Sequence, residues 1–429
     1  MDVKRANIIE SFRKLTGNAR IMVMVQPMWG IPYVLYSFYL SLYMKELGVT
    51  ERQLGYLISA GYISGAVFSL FSGYLTDRLG RKKATFIFDI ICWPVSLFIF
   101  LISGSFWMFF LAQITNSAMR VVMVAYNLLL VEDSTSEQRI AAFNLNNIIN
   151  IGSGLLIPLA GLLAKAYGLI ATERALLGFA FVSMTVMIFL RFFLCKETEM
   201  GKTILNETKA GRREKKLDFP RLYRETMEVL LVRKGILLLV VCNVLYNVYL
   251  PLGSFSSLFF VPYMKEVFGI DKAWISILGS VFSASTLFVF ILVNPVLSRC
   301  NRVRVMLAGL GIQAVSLGVL VFAPLGRIST AIAYVVLFAI GSSVFKPFMD
   351  SILADYTEGS RRAGIYALMN VVLSVTTALI GFLSGYLYAY RPEALFIISI
   401  FLVVLCIFLL GLFRGGHFPP HAGNAVEPG

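Results

Sequence analysis

Apolar residues run through this chain in long stretches separated by short polar clusters, and that pattern sets the number of elements. Twelve such stretches occupy residues 21–45, 53–76, 84–104, 106–131, 140–166, 173–194, 235–264, 273–298, 304–324, 328–353, 362–389 and 393–414. Each is long enough, as a helix rising ~1.5 Å per residue, to cross a hydrocarbon layer ~30 Å thick. Barrel strands are short and alternate in polarity, so these runs exclude a barrel. An all-α membrane protein with twelve transmembrane helices is expected.

The pattern also repeats. Tyr43-Met44-Lys45-Glu46 closes the first stretch, and Tyr263-Met264-Lys265-Glu266 closes the seventh. The same offset, drifting by a few residues, aligns Arg78, Arg81 and Lys83 with Arg299, Arg302 and Arg304. Further on it aligns Glu132, Arg139 and Asn147 with Asp355, Arg362 and Asn370. The chain therefore divides into two pseudo-symmetric six-helix halves, 21–194 and 235–414. A terminal segment 1–20 precedes them, a charged linker 195–234 joins them, and a tail 415–429 follows. Residues 1–20 set Lys4, Arg5, Arg13, Lys14 and Arg20 around Ile8, Ile9, Phe12 and Leu15, which suits a short helix on the membrane surface. Pro27, Gly30 and Pro32 in the first stretch, and Pro251 and Gly253 in the seventh, predict symmetry-related kinks. Proline removes a backbone donor, and interrupted helices in matching places of two repeats mark the site of a transporter.

Between the second and third stretches the chain reads Gly73-Tyr-Leu-Thr-Asp77-Arg78-Leu-Gly80-Arg81-Lys82-Lys83. This hinge resembles the signature of the major facilitator superfamily of secondary transporters, a Gly followed by Asp-Arg-x-Gly-Arg and a further cation. Gly73 is expected to let two helices approach closely, Gly80 to allow the reversal, and the cations to hold the turn at an anionic leaflet. The resemblance implies the superfamily fold and alternating access around a midplane site. It also implies a gate in which Asp77, Arg78, Arg81 and Lys82 meet Glu132 and Arg139, with Asp355 and Arg362 as the counterparts in the second half.

With 58% hydrophobic and 14% charged residues and a mean hydropathy of +0.78, the chain is too apolar for a soluble globule. The net charge of +14 does not signal nucleic acid. Of the 38 Lys and Arg, 28 fall on the side of the N-terminus and the linker and 8 on the other. That asymmetry puts both termini in the cytoplasm of a plasma-membrane protein. The five cysteines have no metal-ligand spacing and read as packing residues. No metal or cofactor is expected, and a monomer with the lipid bilayer, a small solute and a coupling ion, most simply H+, as partners.

Charges inside apolar runs are costly and mark function by default. The glutamates all fall at span ends or in loops. Asp89 and Asp350 lie within runs and are the candidates for proton coupling; Arg120 and Lys346 are the buried cations beside them. Arg120 lies ~18 Å of helix from Glu132, near the midplane. Arg120 and Lys346, related by the repeat, are expected to face one another across the cavity and to favour an organic anion. Two other pairings are open, Lys346 with Asp350 at i, i+4 and Asp89 with Arg120 or a neighbouring span. Gln26, Tyr33, Asn147, Asn243, Asn247 and Asn370 complete the candidate pocket. Pro158 and Gly161 partly resemble the superfamily's antiporter motif, so multidrug efflux in exchange for protons is the alternative. A receptor or a membrane enzyme would need a ligand domain or a catalytic cluster, and neither is present.

Overall fold

The computed structural model describes residues 8–209, 234–322, 324, 326–356 and 362–413. Among them, eleven helices are long and apolar enough to cross a membrane: Gly17–Glu46, Glu51–Leu79, Arg81–Ile102, Phe106–Val131, Ser136–Tyr167, Leu169–Leu194, Lys272–Leu297, Arg302–Phe322, Ile328–Leu353, Val371–Tyr390 and Glu393–Leu412. A shorter apolar helix, Leu237–Gly253, fills the seventh place, and the twelve are called spans one to twelve in chain order. The near face carries the N-terminal segment and the turn at Gly80; the far face carries the turn between Glu46 and Glu51.

Local chemistry explains why the spans stop where they do. Thr50 and Gln53 form a reciprocal cap at the start of span two, and Thr135 and Gln138 do the same for span five. Asp271 accepts from the Ala273 N–H (3.1 Å) to start span eight. Gly80 (φ +84°) and Gly168 (φ +83°) join consecutive spans with no loop, a backbone state other residues resist. Gly73 plays a different part from the one expected, because a Cβ there would meet nothing within 4 Å. The short helix Ile8–Arg13 also departs from expectation. Phe12 and Leu15 pack with Met22, Leu129 and Leu130 on the protein itself, so the segment is docked on spans four and five.

Spans one and seven are both interrupted, at different depths. Span one breaks at Gln26, where Pro27 begins a new helix, while Pro32 lies inside the continuous helix Pro27–Glu46. Span seven ends at Gly253 and resumes as Phe260–Glu266. There the Ser257 hydroxyl donates to the carbonyls of Pro251 (2.6 Å) and Leu252 (3.2 Å), replacing donors that the helix no longer supplies. The two proline clusters are thus related in sequence, but the breaks are not equivalent.

The halves meet through small residues. Gly55 of span two lies on the backbone of Gly381 and Gly385 of span eleven, where a Cβ would come within 2.6 Å of a carbonyl oxygen. Ser59 donates to the Ala378 carbonyl (2.7 Å) on the same seam. Gly154 and Gly161 of span five receive Ser283 and Ser276 of span eight. Such close approaches carry helix association in lipid, where apolar burial alone gives no advantage.

The repeated tetrapeptides join at the far face. Lys45 pairs with Glu266 (2.6 Å) and Lys265 with Glu46 (3.3 Å), and Lys272 also reaches Glu46 (2.6 Å). Beneath them the Tyr39 hydroxyl donates to the Lys272 carbonyl. Among the described residues, the hydrogen bonds and ion pairs between halves lie in the middle or far part of the spans. Lys45→Glu is therefore expected to loosen the far seam and Lys45→Glu with Glu266→Lys to restore it. Ser37 of span one faces the space between the halves. Loosening would raise labelling of a Ser37→Cys reporter from the far side roughly fivefold, the effect of ~1 kcal/mol; equal labelling of all three proteins would contradict the latch.

Candidate substrate cavity

A cavity of about 680 Å³ lies between the halves. Spans one, two, four and five line it with Tyr33, Tyr36, Tyr62, Gln113, Asn116, Arg120 and Asn150, and spans seven and eight with Pro251, Phe255, Phe282, Ser283 and Thr286. A kink aims Arg120 into it. Span four is broken after Asn116 and restarts at Met119, with the Ser117 hydroxyl donating to the Gly61 carbonyl (3.1 Å) of span two. Arg120 sits in the first turn after that kink, over Gly65, where a Cβ would stand 3.3 Å from its Nε. It is half-buried and has no acidic partner among the described residues. Among the described residues, no Asp, Glu, Lys or other Arg lines the cavity.

Tyr33 and Tyr36 line one side of the cavity, meeting edge-on at 5.8 Å, and two tryptophans outside the lining back them: Trp29 stacks on Tyr33 (centroids 4.8 Å apart, planes 12° apart), and Trp93 meets Trp29 edge-on at 5.5 Å. Trp93 is turned inward by a widened helical turn, Ile91–Val95, that accommodates Pro94. The Asn116 amide donates to the Cys92 carbonyl (2.9 Å) in that turn.

From Asn150 a polar chain leads away from the cavity. Gln26 donates to Asn150 (2.9 Å), Tyr126 donates to Gln26 (3.3 Å), and Asn146 donates to the Tyr126 hydroxyl (3.0 Å). The Arg191 guanidinium lies 5.0 Å from the Tyr126 ring centroid and donates to Asp89 (2.7 Å). The Asp89 and Arg191 side chains are 1% and 6% exposed, so the pair is dry. Asp89 thus pairs with Arg191 of span six and not with Arg120. The sequence counts Arg191 with the near-face charges because it closes an apolar run, but it lies inside the bundle.

The second half differs more from expectation. Lys346 pairs with Asp350 (2.6 Å) one turn along span ten, with side chains 39% and 54% exposed, and neither lines the cavity. The expected meeting of Arg120 and Lys346 across the cavity is therefore absent, because a nearer carboxylate on the same helix face takes the lysine. Asn243 donates to the Met369 sulfur (3.2 Å) and Asn247 back to Asn243 (2.9 Å), so both serve helix packing. Asn147 is exposed and outside the lining, with Asn150 in its place; Gln26 is one hydrogen bond away from the lining, through Asn150. The side chains of Asn370, Asp355 and Arg362 lie outside the described residues. Gln113, Asn116 and Arg120 were legible as a helical stripe, spaced three and four residues apart, and only Arg120 was singled out.

At the near face Arg81 is buried and forked onto Glu132 through Nε (3.1 Å) and Nη2 (3.0 Å), with Nη1 on Asp77 (3.1 Å). The Thr198 hydroxyl also donates to Glu132. Glu197 accepts from the Arg81 and Lys82 backbone N–H groups, 3.0 Å each, placing a carboxylate on the positive end of span three. Arg78 takes no part, donating to Tyr74 instead (2.8 Å); Lys82 lies over Phe192, and Arg139 donates to the Val131 carbonyl (2.9 Å). Glu197 and Thr198 were read as the start of a solvated linker, and nothing in their spacing singles them out.

The Major Facilitator Superfamily description matches residues 27–254 and again 244–429. The chain belongs to that superfamily. Superfamily membership makes it a multi-pass membrane protein of the transporter type. The quinolone resistance protein NorA of Staphylococcus aureus is 32% identical over 128 residues, 29% of this chain and 33% of NorA. An MFS-type transporter of Bacillus subtilis, YqjV, is 28% identical over 117 residues, 27% of this chain and 28% of that one. The chain thus matches about a third of the length of these curated relatives. Among solved structures, a nucleoside transporter, NupG, superposes with a TM-score of 0.72 over 92% of this chain and 100% of its own, at 13% identity. A D-xylose-proton symporter gives 0.70 over 95% and 98%, at 14% identity. At such identities the likeness is one of fold.

Within the superfamily fold the dry Asp89–Arg191 pair has a measurable signature. Removing either partner strands the other in a dry site, a loss of about 3–5 kcal/mol. Asp89→Ala and Arg191→Ala are each expected to lower Tm in detergent, and the double replacement to lower it by less than the sum of the two; additive losses would mean the pair is not coupled.

Proposed function

We propose that this transporter moves an organic anion with an aromatic body by proton-coupled alternating access, and that its near face is cytoplasmic. The observation that carries the anion reading is Arg120, the one charged group lining the cavity and unpaired among the described residues. A guanidinium offers two parallel donors to a carboxylate or phosphate ester, and the Tyr33 and Tyr36 rings give the same cavity an aromatic surface. The orientation follows from the excess of Lys and Arg on the near side, which puts both termini in the cytoplasm of a plasma-membrane protein. In that orientation the latched far seam is the outer gate and the cavity faces inward.

Asp77, Arg81 and Glu132 form the inner gate, braced in this state by Glu197 and Thr198. Asp89 and Asp350 are the paired carboxyls through which a proton exchanges when either ion pair opens. A second reading, drug efflux, is favoured by the similarity to a quinolone resistance protein. The cavity's single cation directs that reading toward acidic or zwitterionic drugs, since a purely cationic one would meet Arg120 with no acid beside it.

Uptake into proteoliposomes of aromatic carboxylates, sugars and lipophilic cations tests both. Arg120→Ala is expected to weaken a transported carboxylate about 10- to 100-fold, as loss of a charge-assisted pair does, with Arg120→Lys intermediate. Unchanged affinity for every solute, or transport confined to neutral and cationic solutes, would reject the anion reading. Asp77→Asn is expected to slow transport while leaving carboxylate binding in detergent intact, and normal transport would remove Asp77 from the gate.

A further inference from the structure

Span six begins at Leu169, so Glu173 lies one turn inside the bundle, although by the run of apolar residues it stands at a span end. Its side chain is fully shielded, and neither carboxylate oxygen has a hydrogen-bond partner; the adjacent Thr172 hydroxyl is buried and unpaired as well. Every other described acid within the spans has a cation, and this one faces none. Span one, which packs most extensively on span six, carries the buried Tyr36 and Tyr39, neither of them hydrogen-bonded to Glu173, while Tyr43 is turned to the Phe100 carbonyl. Span three brings Cys92, and Asp89 already held by Arg191. Lys165 and Tyr167 of span five, Arg20 of the helix Gly17–Val25, and Arg174 beside Glu173 are all exposed.

The two tyrosines tie this carboxyl to both sides of the transport cycle. Tyr39 bonds to the Lys272 carbonyl across the far seam. Tyr36 lines the cavity. A carboxylate stripped of water with no donor in its place is strongly disfavoured, whereas the neutral acid is tolerated. When the far seam opens, span one parts from span eight and water reaches the region behind Tyr39, where the ionised form is solvated.

We propose that Glu173 is a proton-binding site of this transporter, protonated while the far seam is closed and ionised when it is open, with Tyr36 linking it to the cavity. The proposal rests on the alternating-access reading above and identifies a carboxyl that carries its proton. The closed arrangement then binds one more proton than the open one, so it is favoured at low external pH and gives way as external pH rises. It also explains why an acid is placed where no cation can reach it. A structural carboxylate in the same place would need a partner.

Two measurements test this without knowledge of the substrate. Infrared difference spectra of the purified protein at neutral pH are expected to contain the carbonyl band of an unbonded carboxylic acid that is lost in Glu173→Gln and retained in Asp89→Asn. In right-side-out proteoliposomes, Ser37→Cys in a cysteine-free background is expected to react faster with an impermeant maleimide as external pH rises, at least fivefold between mildly acidic and mildly alkaline buffer after division by the rate of a fully exposed cysteine at the same pH, which removes the change in thiolate fraction. On that scale Glu173→Gln should react slowly at every pH, because its neutral amide imitates the protonated acid. Absence of the infrared band, or a pH dependence unchanged in Glu173→Gln, would overturn the proposal while leaving alternating access intact. Failure of the reporter to react from outside at any pH in either protein would instead overturn the alternating-access reading.

Discussion

Two reciprocal ion pairs, Lys45 with Glu266 and Lys265 with Glu46, close one end of the bundle between its halves. Partly exposed pairs of this kind contribute ~1 kcal/mol or less each, too little to hold the fold and enough to bias an equilibrium between two packings. The glycine and serine contacts of spans two with eleven and five with eight lie along the same seam and close only when the backbones touch. Charge at the rim and small residues below it thus act on one degree of freedom. The cavity, the shielding of Tyr39 and the dryness behind it all follow from that closure.

A second constraint is that charge inside a bilayer must be answered. Asp89 and Arg191 answer one another in a dry site, where separating them costs more than the pair gains over apolar neighbours. Lys346 and Asp350 do so on one helix face. Arg120 remains unanswered among the described residues, and it is the charge placed in a cavity that solvent and solute can enter. Balanced charges support the bundle, and among the described residues Arg120 is the charge that lines the cavity.

Much of this was legible in the sequence. The length of the apolar runs yields the spans to within a few residues, the Gly73–Lys83 signature yields the family, and the distance from Glu132 yields the depth of Arg120. What was not legible depends on neighbours that no local pattern specifies. Arg191 and Glu173 were set aside because they border apolar runs, yet helices extend past the last apolar residue when a neighbouring helix covers the polar one. The pairing of Asp89 with Arg191 joins spans three and six, and periodicity along either span carries no information about the other. The proline clusters marked interrupted helices correctly, but the depth of each break depends on which side chains replace the lost backbone bonds: Ser257 in one case, Ser183 on the Met28 carbonyl in the other.

The reciprocity of the far-face pairs has a consequence for symmetry. An interface in which one residue meets a second while the second's counterpart meets the first's is the mark of a two-fold dimer. Two copies of a half-length chain bearing a single Lys-Glu dipeptide at that position would form both bridges by symmetry alone. The two bridges are thus the ones that such a symmetric pair would make, and the third, from Lys272 to Glu46, is the departure from that symmetry at this rim.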